Sequence, residues 1–239
     1  MPRYKIHHFK SLTSTQDKAK EFAKKGLSNI VILADIQTKG RGRFKRKWHS
    51  DKGGLWFSIL INPKHIERPQ YLTFIAAVAV AITIKKTGIN AKIKWPNDIH
   101  FNDRKICGIL TEGILGKENY FSIGIGVNIN QKTFPKEIKT TATSLRILKN
   151  KNFDKNNIME EILNKFFRLY NDFYNKNKFH EIIKLWKQSS DTIGKQVIVM
   201  THQKKIIGKA IDIDDDCNLI IESNNKKIRI IEGDVTVRY

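Results

Sequence analysis

The segment QYLTFIAAVAVAITIKKTG, residues 70–88, contains the longest apolar run in the chain, from Phe74 to Ile84. This run is too short to cross a bilayer, which takes about 20 consecutive apolar residues. An apolar run of this kind, closed by Gly88, is typical of a helix buried in a protein core. This segment is therefore expected to form a buried helix.

The segments on both sides of this helix show strand and helix patterns. A first helix is expected at residues 12–26, with Thr13 or Ser14 as its N-cap and Gly26 at its end. Two more helices are expected, one from about Asp154 to Asn177 and one in FHEIIKLWKQS. Strands are expected in NIVILADIQT, GGLWFSILIN (half-buried), AKIKW, IHF, KICGILTEGI and YFSIGIGVNIN.

The last fifty residues have a different character. They contain four or five short strand patterns separated by tight turns, which is typical of a small antiparallel barrel. The change falls near Ser190, so the sequence predicts a domain of residues 1–189 followed by one of residues 190–239.

The excess of positive over negative charge lies entirely in the first of these parts. The formal net charge is +21, whereas residues 190–239 contain eight basic and eight acidic side chains. A basic main domain with a neutral tail domain indicates an anionic partner, which could be a nucleic acid, a nucleotide or an acidic protein.

Cysteine usage and the first residues indicate the compartment. Cys107 and Cys217 are far apart and show no metal-binding spacing, so a disulfide framework is not expected and a reducing cytosol is the simplest setting. The opening MPRYKIHHFK has charge but no apolar core, so no signal peptide is expected. A cytoplasmic protein without membrane association is predicted.

A glycine–arginine loop, TKGRGRFKRKWHS, follows the expected strand NIVILADIQT. Gly40 and Gly42 allow close backbone approach to a ligand, and Arg41 and Arg43 add bidentate donors for an anion. Arg46 and Lys47 extend the positive field, and a nucleotide phosphate fits these groups well. The alternative is a flexible basic surface loop.

Two further stretches combine polar groups with strand ends. KWPNDI and RKICGIL place Lys94, Asn97, Asp98, Lys105 and Gly108 near a tight turn beside a tryptophan. The alternative is an ordinary hairpin with a solvated lysine. In SIGIGVNIN the glycines alternate on one face of a strand. They would leave a trough in which a ring or chain could lie, with Asn128 at its polar end. The alternative is a strand weakened by glycines that faces a neighbouring helix.

Taken together, the order and spacing of LTSTQ, QTKGRGRFKRKW, GGLWFSI, KWPNDI, RKICGIL and IGIGVNIN resemble the biotin protein ligases, over nearly the whole chain. This resemblance implies an α+β fold. A mixed-sheet catalytic domain with flanking helices, of the class II synthetase-like type, would precede a small SH3-like β-barrel domain. It implies an ATP-dependent ligase that forms biotinyl-5′-AMP and then transfers biotin to a lysine of a biotin carboxyl carrier protein, with Mg²⁺ entering with ATP.

The resemblance also assigns individual residues. The implied catalytic residues are Arg43, Lys105 and Asp98, where Asp98 either orients the incoming lysine, accepts its proton or only shapes the turn. The implied biotin-binding residues are Ser14, Thr15, Gln16, Gln37, Gly40, Arg41, Gly42, Arg43, Lys105 and Gly108. The implied ATP-binding residues are Arg41, Arg43, Arg46, Trp48, Lys94, Asn97, Lys105 and Asn128.

The chain departs from the family pattern in the far half of the loop. Lys45 replaces a glycine there, which would make this half less flexible, and His49 stands where an apolar aromatic residue is common. Family members that also act as repressors carry an N-terminal helix-turn-helix module, which this sequence does not show. The protein is therefore expected to be monofunctional, without specific DNA binding, and a homodimer through the catalytic sheet is an option.

Two other functions compete with this interpretation. A lipoate–protein ligase shares the fold and the adenylation chemistry, but it lacks the paired GRGR and KWPND motifs. A basic nucleic-acid-binding module would account for the charge and would require exposed aromatic residues and a salt-sensitive affinity.

Overall fold

The computed structural model describes residues 4–63, 67–116, 118–201 and 204–238. The strands of the larger part of the chain are β1 (Lys5–Leu12), β2 (Ile30–Gln37), β3 (Leu55–Ile61), β4 (Lys92–Lys94), β5 (Asp98–Phe101), β6 (Arg104–Ile114) and β7 (Tyr120–Val127). The helices are α1 (Thr15–Lys24), α2 (Gln70–Lys86), α3 (Leu145–Lys149), α4 (Lys155–Leu169) and α5 (Phe179–Ser189). The remaining strands are β8 (Gln196–Met200), β9 (Lys205–Ile213), β10 (Leu219–Ser223), β11 (Lys226–Ile230) and β12 (Asp234–Arg238).

A seven-stranded mixed sheet forms the frame of the larger part, in the order β1-β2-β3-β7-β6-β5-β4. Only the pairing of β1 with β2 is parallel among the described strands of this sheet, and the other pairs are antiparallel. Helices cover both faces, with α2 on one and α1 on the other. The predicted α+β class and mixed sheet are confirmed.

The apolar helix α2 is buried on all sides, as predicted. One side packs on the sheet, and the other packs against α4 and α5, where Trp186 stacks on Phe74 with ring centroids 4.8 Å apart. A helix that is apolar around its whole circumference has no face to offer to water. The layer formed by α4 and α5 therefore explains why α2 is apolar around its whole circumference.

The prediction that β3 is half-buried was wrong, because all seven of its residues are buried. One face of the strand, which includes Phe57 and Ile59, faces the core beneath α2, while Leu60 on the other face belongs to the cluster beneath α1. Ser58 is accommodated between these helices because its hydroxyl donates to Thr15 Oγ1 at 2.8 Å. A strand that is covered on both faces does not need alternating polar and apolar residues.

Three further elements can be compared with the predictions: the long helix near residue 154, the first strand and the N-cap of α1. The helix expected from about Asp154 to Asn177 ends as an α-helix at Leu169 and continues as one wider π-type turn, Tyr170–Tyr174. Strand β1, which was not predicted, is an edge strand with a largely exposed, polar sequence. Ser14 is the N-cap of α1, and its Oγ accepts from the backbone N–H of Gln16, which agrees with one of the two predicted caps.

The C-terminal strands form a separate five-stranded antiparallel sheet, in the order β11-β10-β9-β8-β12. Trp95 is one of the residues through which this sheet contacts the larger part of the chain. The Trp95 indole N–H donates to the backbone oxygen of Cys217 and its backbone N–H donates to Thr192 Oγ1, both at 2.9 Å. The predicted small antiparallel β domain is confirmed, while the exact division at Ser190 stays a prediction. No helix within the described ranges is long and apolar enough to cross a membrane.

Candidate functional site

A cavity of about 760 Å³ opens between the mixed sheet, the glycine–arginine loop and strand β12. Its walls come from the start of α1, the end of β2, the β4–β5 turn and strands β6 and β7, so segments distant in sequence converge here. All of the predicted site residues except Gly40 line this main cavity: Ser14, Thr15, Gln16, Gln37, Arg41, Gly42, Arg43, Arg46, Trp48, Lys94, Asn97, Asp98, Lys105, Gly108 and Asn128.

Gly40 lies behind the wall of the main cavity. A Cβ atom at this position would lie 2.5 Å from Ser50 Oγ and 2.6 Å from the backbone oxygen of Trp48. The backbone oxygen of Gly40 also accepts from the Trp48 N–H at 2.9 Å. Gly40 is therefore required for close packing of the two ends of the loop.

One end of the main cavity presents neutral hydrogen-bonding groups. Gln37 Oε1 accepts from the Thr15 backbone N–H at 2.8 Å and from Thr15 Oγ1 at 3.1 Å, while Gln37 Nε2 donates to Ser50 Oγ at 2.8 Å. These bonds fix the orientation of the Gln37 amide. Polar groups held in this way suit a neutral ligand rich in N–H and C=O groups.

Gln16 lies against the glycine-rich face of β7. Its Nε2 donates to the backbone oxygen of Leu110 at 2.8 Å, and its Oε1 accepts from Ser122 Oγ. A Cβ at Gly124 would lie 3.0 Å from the Gln16 side chain. Gly124 therefore makes room for the Gln16 amide.

The glycine–arginine loop is a short hairpin. Arg41 pairs with Lys47 across it, and the Gly42 N–H donates to the backbone oxygen of Arg46 at 2.8 Å. At the tip, Phe44 and Lys45 have φ values of 55° and 57°, in the left-handed region that favours glycine. Two consecutive left-handed residues closed by an Arg46 N–H to Arg43 bond make a type I′ turn.

Arg41 fastens the base of this hairpin to the rest of the protein. Its guanidinium donates to Asp17 Oδ1 at 2.7 Å and to the two carboxylate oxygens of Glu112 at 3.0 and 3.4 Å. Burial lowers the pKa of Arg41, but the two carboxylates outweigh this and raise it above its usual value. The anion contact expected for Arg41 stays a prediction, since two carboxylates hold its donors here.

Arg43 and Arg46 connect the hairpin to the C-terminal sheet. Arg43 Nη1 lies 3.5 Å from Asn97 Oδ1 and 3.4 Å from the backbone oxygen of Gly233, and Arg46 pairs with Asp234. Burial lowers the pKa of Arg43 despite the nearby carboxylates. An anion placed beside this half-desolvated guanidinium would be strongly attracted.

Lys105 and Asp98 form an ion pair in the wall of the main cavity, with Lys105 Nζ 2.7 Å from Asp98 Oδ1. His100 Nε2 lies 3.7 Å from the other carboxylate oxygen. Burial alone would raise the pKa of the Asp98 carboxyl, but Lys105 and His100 reverse this effect and hold it well below its usual range. Asp98 therefore remains charged and is a weak proton acceptor.

The trough predicted along β7 exists, but the protein's own side chains occupy it. A Cβ at Gly126 would lie 2.5 Å from the Trp48 indole nitrogen, and one at Gly108 would lie 3.0 Å from the Trp48 ring. The Lys105 Nζ lies over the same ring system, 5.1 Å from the ring centroid. Trp48 is therefore an aromatic surface that packs on the glycines of β6 and β7 and contacts the Lys105 cation.

Lys94 and Asn128 complete the polar lining. Burial lowers the pKa of Lys94, which faces Asp98 across the β4–β5 pair. Asn128 donates from Nδ2 to the backbone oxygen of Lys105 at 3.3 Å and accepts from Gln131 Nε2 at 3.3 Å. Asn128 thus supports the strand that carries Lys105.

The sequence interpretation missed four charged or titratable side chains of this region: Asp17, His100, Glu112 and Asp234. Asp17 and Glu112 orient Arg41, His100 contacts Asp98, and Asp234 pairs with Arg46. No local pattern distinguishes Asp17, Glu112 and Asp234 from other charged residues, since each acquires its partner through long-range folding. The position of His100 two residues beyond Asp98 on a strand was the one available signal.

The described residues contain no cluster of three or more His, Cys, Asp or Glu side chains that could hold a metal ion. The carboxylates that line the main cavity are Asp98, Asp103 and Asp234, and two of them are paired with Lys105 and Arg46. The cationic side chains outnumber them, so the cavity suits an anionic ligand with a neutral polar portion.

Comparison with known proteins gives consistent matches. The model of the biotin/lipoate A/B protein ligase family matches residues 8–130, and that of the biotin protein ligase C-terminal domain matches residues 192–238. The bifunctional ligase/repressor BirA of Bacillus subtilis is 38% identical over 98% of this chain and 74% of that protein. Its counterpart in Bacillus spizizenii is 38% identical over 94% of this chain and 71% of that protein.

A solved structure shows the same architecture. The biotin protein ligase from Aquifex aeolicus in complex with biotin and ATP superposes with a TM-score of 0.87 and 32% sequence identity, over 98% of both chains. The similarity therefore extends over the mixed sheet and the C-terminal sheet together.

Proposed function

The chain belongs to the biotin/lipoate A/B protein ligase family, and on that premise we propose that it is an ATP-dependent biotin protein ligase. The observation that carries the proposal is one cavity with a neutral hydrogen-bonding end at Gln37 and a cationic end at Arg43 and Lys105. Biotin has a neutral ureido ring and an anionic carboxylate, and ATP supplies further negative charge next to that carboxylate. The similarity of residues 192–238 to the C-terminal domain of biotin protein ligases favours biotin over lipoate.

Biotin would lie in the main cavity beside the Gln16 and Trp48 side chains, which cover the glycines of β6 and β7. Its ureido ring would meet Ser14, Thr15 and Gln37, whose side chains already have fixed orientations. Fixed polar groups recognise a ligand with little loss of their own conformational freedom. The valeryl chain would then direct the carboxylate towards Lys105.

The first half-reaction joins two anions. An oxygen of the biotin carboxylate attacks the α-phosphorus of ATP, the bond to the bridging oxygen breaks, and pyrophosphate leaves. The ammonium of Lys105 and the guanidinium of Arg43 would offset the repulsion between carboxylate and phosphate. Trp48 would present its ring to the adenine or the biotin chain, and the loop would exclude water from the mixed anhydride.

The second half-reaction releases AMP. The neutral amine of the acceptor lysine attacks the carbonyl carbon of biotinyl-adenylate, a C–N bond forms, and the C–O bond to AMP breaks with its electron pair. The two protons of the original ammonium group that are lost pass to solvent. We assign Asp98 the task of holding Lys105 in place, because its lowered pKa makes it a poor general base at neutral pH.

Magnesium would enter as part of the ATP complex. The described residues offer no preformed cluster of metal ligands, so the triphosphate itself would be the main ligand. When bound, the ion would neutralise phosphate charge.

The expected protein partner is a biotin carboxyl carrier protein or the carrier domain of a biotin-dependent carboxylase. We place the reaction in the cytoplasm, where ATP is available and thiols stay reduced. The two cysteines, Cys107 and Cys217, are free and buried, which is compatible with that setting. Whether two copies pair through the catalytic sheet can be measured by analytical ultracentrifugation.

ATP–pyrophosphate exchange tests the proposal. The protein should exchange labelled pyrophosphate into ATP when biotin is present, and lipoate at the same concentration should give little exchange. Incubation with biotin, ATP, Mg²⁺ and a purified carrier domain should then give a product detected by streptavidin. Exchange driven by lipoate alone, or salt-sensitive nucleic-acid binding without exchange, would replace the proposal with one of the two alternatives.

A further inference from the structure

His100 is a buried histidine in the wall of the main cavity, with 8% of its surface exposed. Its Nδ1 lies 3.3 Å from the backbone oxygen of Asp103 in the β5–β6 turn, and its Nε2 lies 3.7 Å from Asp98 Oδ2. The second distance is too long for a hydrogen bond, and within the described ranges Nε2 has no hydrogen-bond partner. A buried polar nitrogen without a partner lowers stability, so a functional reason for its position is expected.

Asp98 connects this histidine to Lys105. One carboxylate oxygen, Oδ1, is paired with Lys105 Nζ at 2.7 Å, and the other, Oδ2, faces His100. His100 and Lys105 stand opposite each other in the β5–β6 pair, which brings both of them to Asp98. Because Asp98 and His100 are two residues apart on β5, their side chains reach the same cavity. A change at His100 is therefore transmitted to Lys105 through Asp98.

Other cationic side chains near Asp98 are less well placed to hold it. Among the described residues, His100 and Lys105 are the two that have a nitrogen within 4.0 Å of the Asp98 carboxylate as ion-pair partners. Lys94 stands opposite Asp98 in the β4–β5 pair, and Arg43 interacts with it only through longer-range electrostatics. His100 is thus the group best placed to replace hydrogen bonding that Asp98 loses from Lys105.

The arrival of two anions would weaken the hold of Lys105 on Asp98. The Lys105 ammonium would then be shared between Asp98 and the anionic groups of biotin and ATP. The Asp98 side chain is only 22% exposed, and a largely buried carboxylate whose partner is drawn away is strongly destabilised. His100 Nε2 has to approach Oδ2 by about 0.8 Å to reach the usual hydrogen-bond length. A small shift of the ring therefore compensates Asp98 without moving a strand.

We propose that His100 is a positioning residue of the first half-reaction, which holds Asp98 through an Nε2–H hydrogen bond and thereby keeps the Lys105 ammonium directed at the two anions. A protonated ring donates to Asp103 and Asp98 together, whereas a neutral ring with its N–H on Nε2 serves Asp98 alone. This inference rests on the proposed function and adds a residue to it. His100 acts through Asp98 and contacts neither substrate in this role.

The test compares two replacements of His100. His100→Leu removes the donor and keeps a side chain of similar size, whereas His100→Gln retains an N–H donor. His8→Leu is the matched control, because His8 also contacts a carboxylate, that of Asp35, at an exposed site outside the main cavity. The kcat and KM of biotin-dependent pyrophosphate exchange are measured for each protein, and thermal unfolding checks that each is folded. His100→Met takes the place of His100→Leu if the latter does not fold.

We expect His100→Leu to lower kcat by about tenfold, because it removes a support of Lys105, whereas loss of a direct stabilising contact costs about a hundredfold. The KM values for biotin and ATP should change less, since the contact matters most when the anions are joined. His100→Gln should recover most of the loss, and His8→Leu should match the parent. In an Asp98→Asn background, His100→Leu should have no further effect, because the residue through which His100 acts is already changed.

Three results would overturn the proposal. They are a parent-level kcat in His100→Leu, equal losses in His100→Leu and His100→Gln, and additive losses in the Asp98→Asn background. Each of them would leave the exchange activity of the parent, and hence the proposed function, intact. A parent protein without biotin-dependent exchange would refute the proposed function and this inference together.

Discussion

Lys105 is held at the wall of the main cavity by its ion pair with Asp98, and its ammonium lies above the Trp48 ring. An ammonium group restrained in this way needs little reorganisation when a carboxylate and a phosphate arrive together. Such a group acts mainly on the step in which the two anions are joined. The alternative, a solvated lysine at a strand start, would make it dispensable.

We expect Lys105→Ala to lower biotin-dependent pyrophosphate exchange by about a hundredfold, the usual effect of removing one such stabilising contact. The loss should be smaller when synthetic biotinyl-adenylate is supplied, because the two anions are already joined. Rate measurements of the two half-reactions test this expectation, with Lys184→Ala on the exposed side of α5 as the control. Equal rates in the two variants would identify Lys105 as a solvated residue.

Glu112 is the main anchor of Arg41 and therefore of the hairpin loop. We expect Glu112→Gln to lower stability by about 1 kcal/mol, since the pair is only partly exposed and bidentate. A loosened loop should also release adenylate earlier, which is measured as biotin on bystander lysines. Glu21→Gln is the matched control, because Glu21 pairs with Lys18 and Lys25 on α1. Identical labelling by the two variants would show that Arg41 is anchored in another way.

Lys45 occupies a left-handed position in the type I′ turn, with φ of 57°. We expect Lys45→Gly to stabilise the protein by up to about 1 kcal/mol, because glycine carries no Cβ penalty at positive φ. Lys45→Val should destabilise it, since a β-branched residue fits this region poorly. Urea denaturation gives both values, with Lys47→Gly as the control at an extended position. A Lys45→Gly variant less stable than the parent would contradict the turn geometry.

At the scale of elements, strands β5 and β6 bring Asp98 and Lys105 together across one antiparallel pair. The lowered pKa of Asp98 means that the folded protein binds this proton less readily than the unfolded chain. The resulting stabilisation is present above the unfolded pKa of about 3.9 and is lost as pH falls through the lower folded pKa. Asp98 therefore contributes to acid denaturation.

We expect the stability difference between the parent and Asp98→Asn to be constant near neutral pH and to shrink below about pH 4. Thermal unfolding measured at several pH values between neutrality and the acid transition gives this difference. Asp35→Asn serves as the control, because Asp35 lies on β2 and its carboxyl pairs with His8 at a more exposed site. A difference that does not change on acidification would mean that Asp98 has an ordinary pKa.

The sequence predicted most elements because their patterns are local. The uniform apolar character of α2 and the Ser14 cap follow from short-range rules. The burial of both faces of β3 could not be read locally, since it depends on α1 and α2 packing from opposite sides. The glycine trough was predicted, but its filling by Trp48 requires the loop to fold back over β7.

The site itself was predictable as a set of residues and much less so as a set of contacts. The loop motif identified Arg41 and Arg43 as cationic groups, but their partners lie elsewhere in the chain. Glu112 is 71 residues from Arg41, and Gly233 is 190 residues from Arg43. Contacts over such separations are determined by the tertiary fold, so a motif cannot show which arginine is free to meet a ligand.

At the scale of the whole molecule, the C-terminal sheet is both a cover for the core and a wall of the cavity. It supplies the backbone oxygen of Cys217 to the buried Trp95 indole and the backbone oxygen of Asp215 to the Tyr71 hydroxyl. It also places Asp234 and Thr236 along the main cavity. The C-terminal sheet therefore forms part of the wall of the main cavity, next to the end at which we propose that the nucleotide binds.

Removal of residues 190–239 should leave a folded but much weaker ligase with a lower melting temperature, because Trp95 becomes uncovered and part of the cavity wall is lost. A point variant tests the loss of the cavity wall separately from the uncovering of Trp95. Asp234→Asn breaks the pair with Arg46 at the cavity, and we expect it to raise the KM for ATP while the KM for biotin changes less.

The control for this last prediction is Asp212→Asn, which breaks an ion pair between the C-terminal sheet and Lys187 of α5, away from the cavity. Both variants lose one ion pair between the same two parts of the chain, so they should lose similar, small amounts of stability. Only Asp234→Asn frees Arg46 and loosens the hairpin beside the nucleotide. Steady-state kinetics of pyrophosphate exchange measure the KM for ATP of each variant. Equal KM values for ATP in the two variants would show that the C-terminal sheet serves only as a cover for the core.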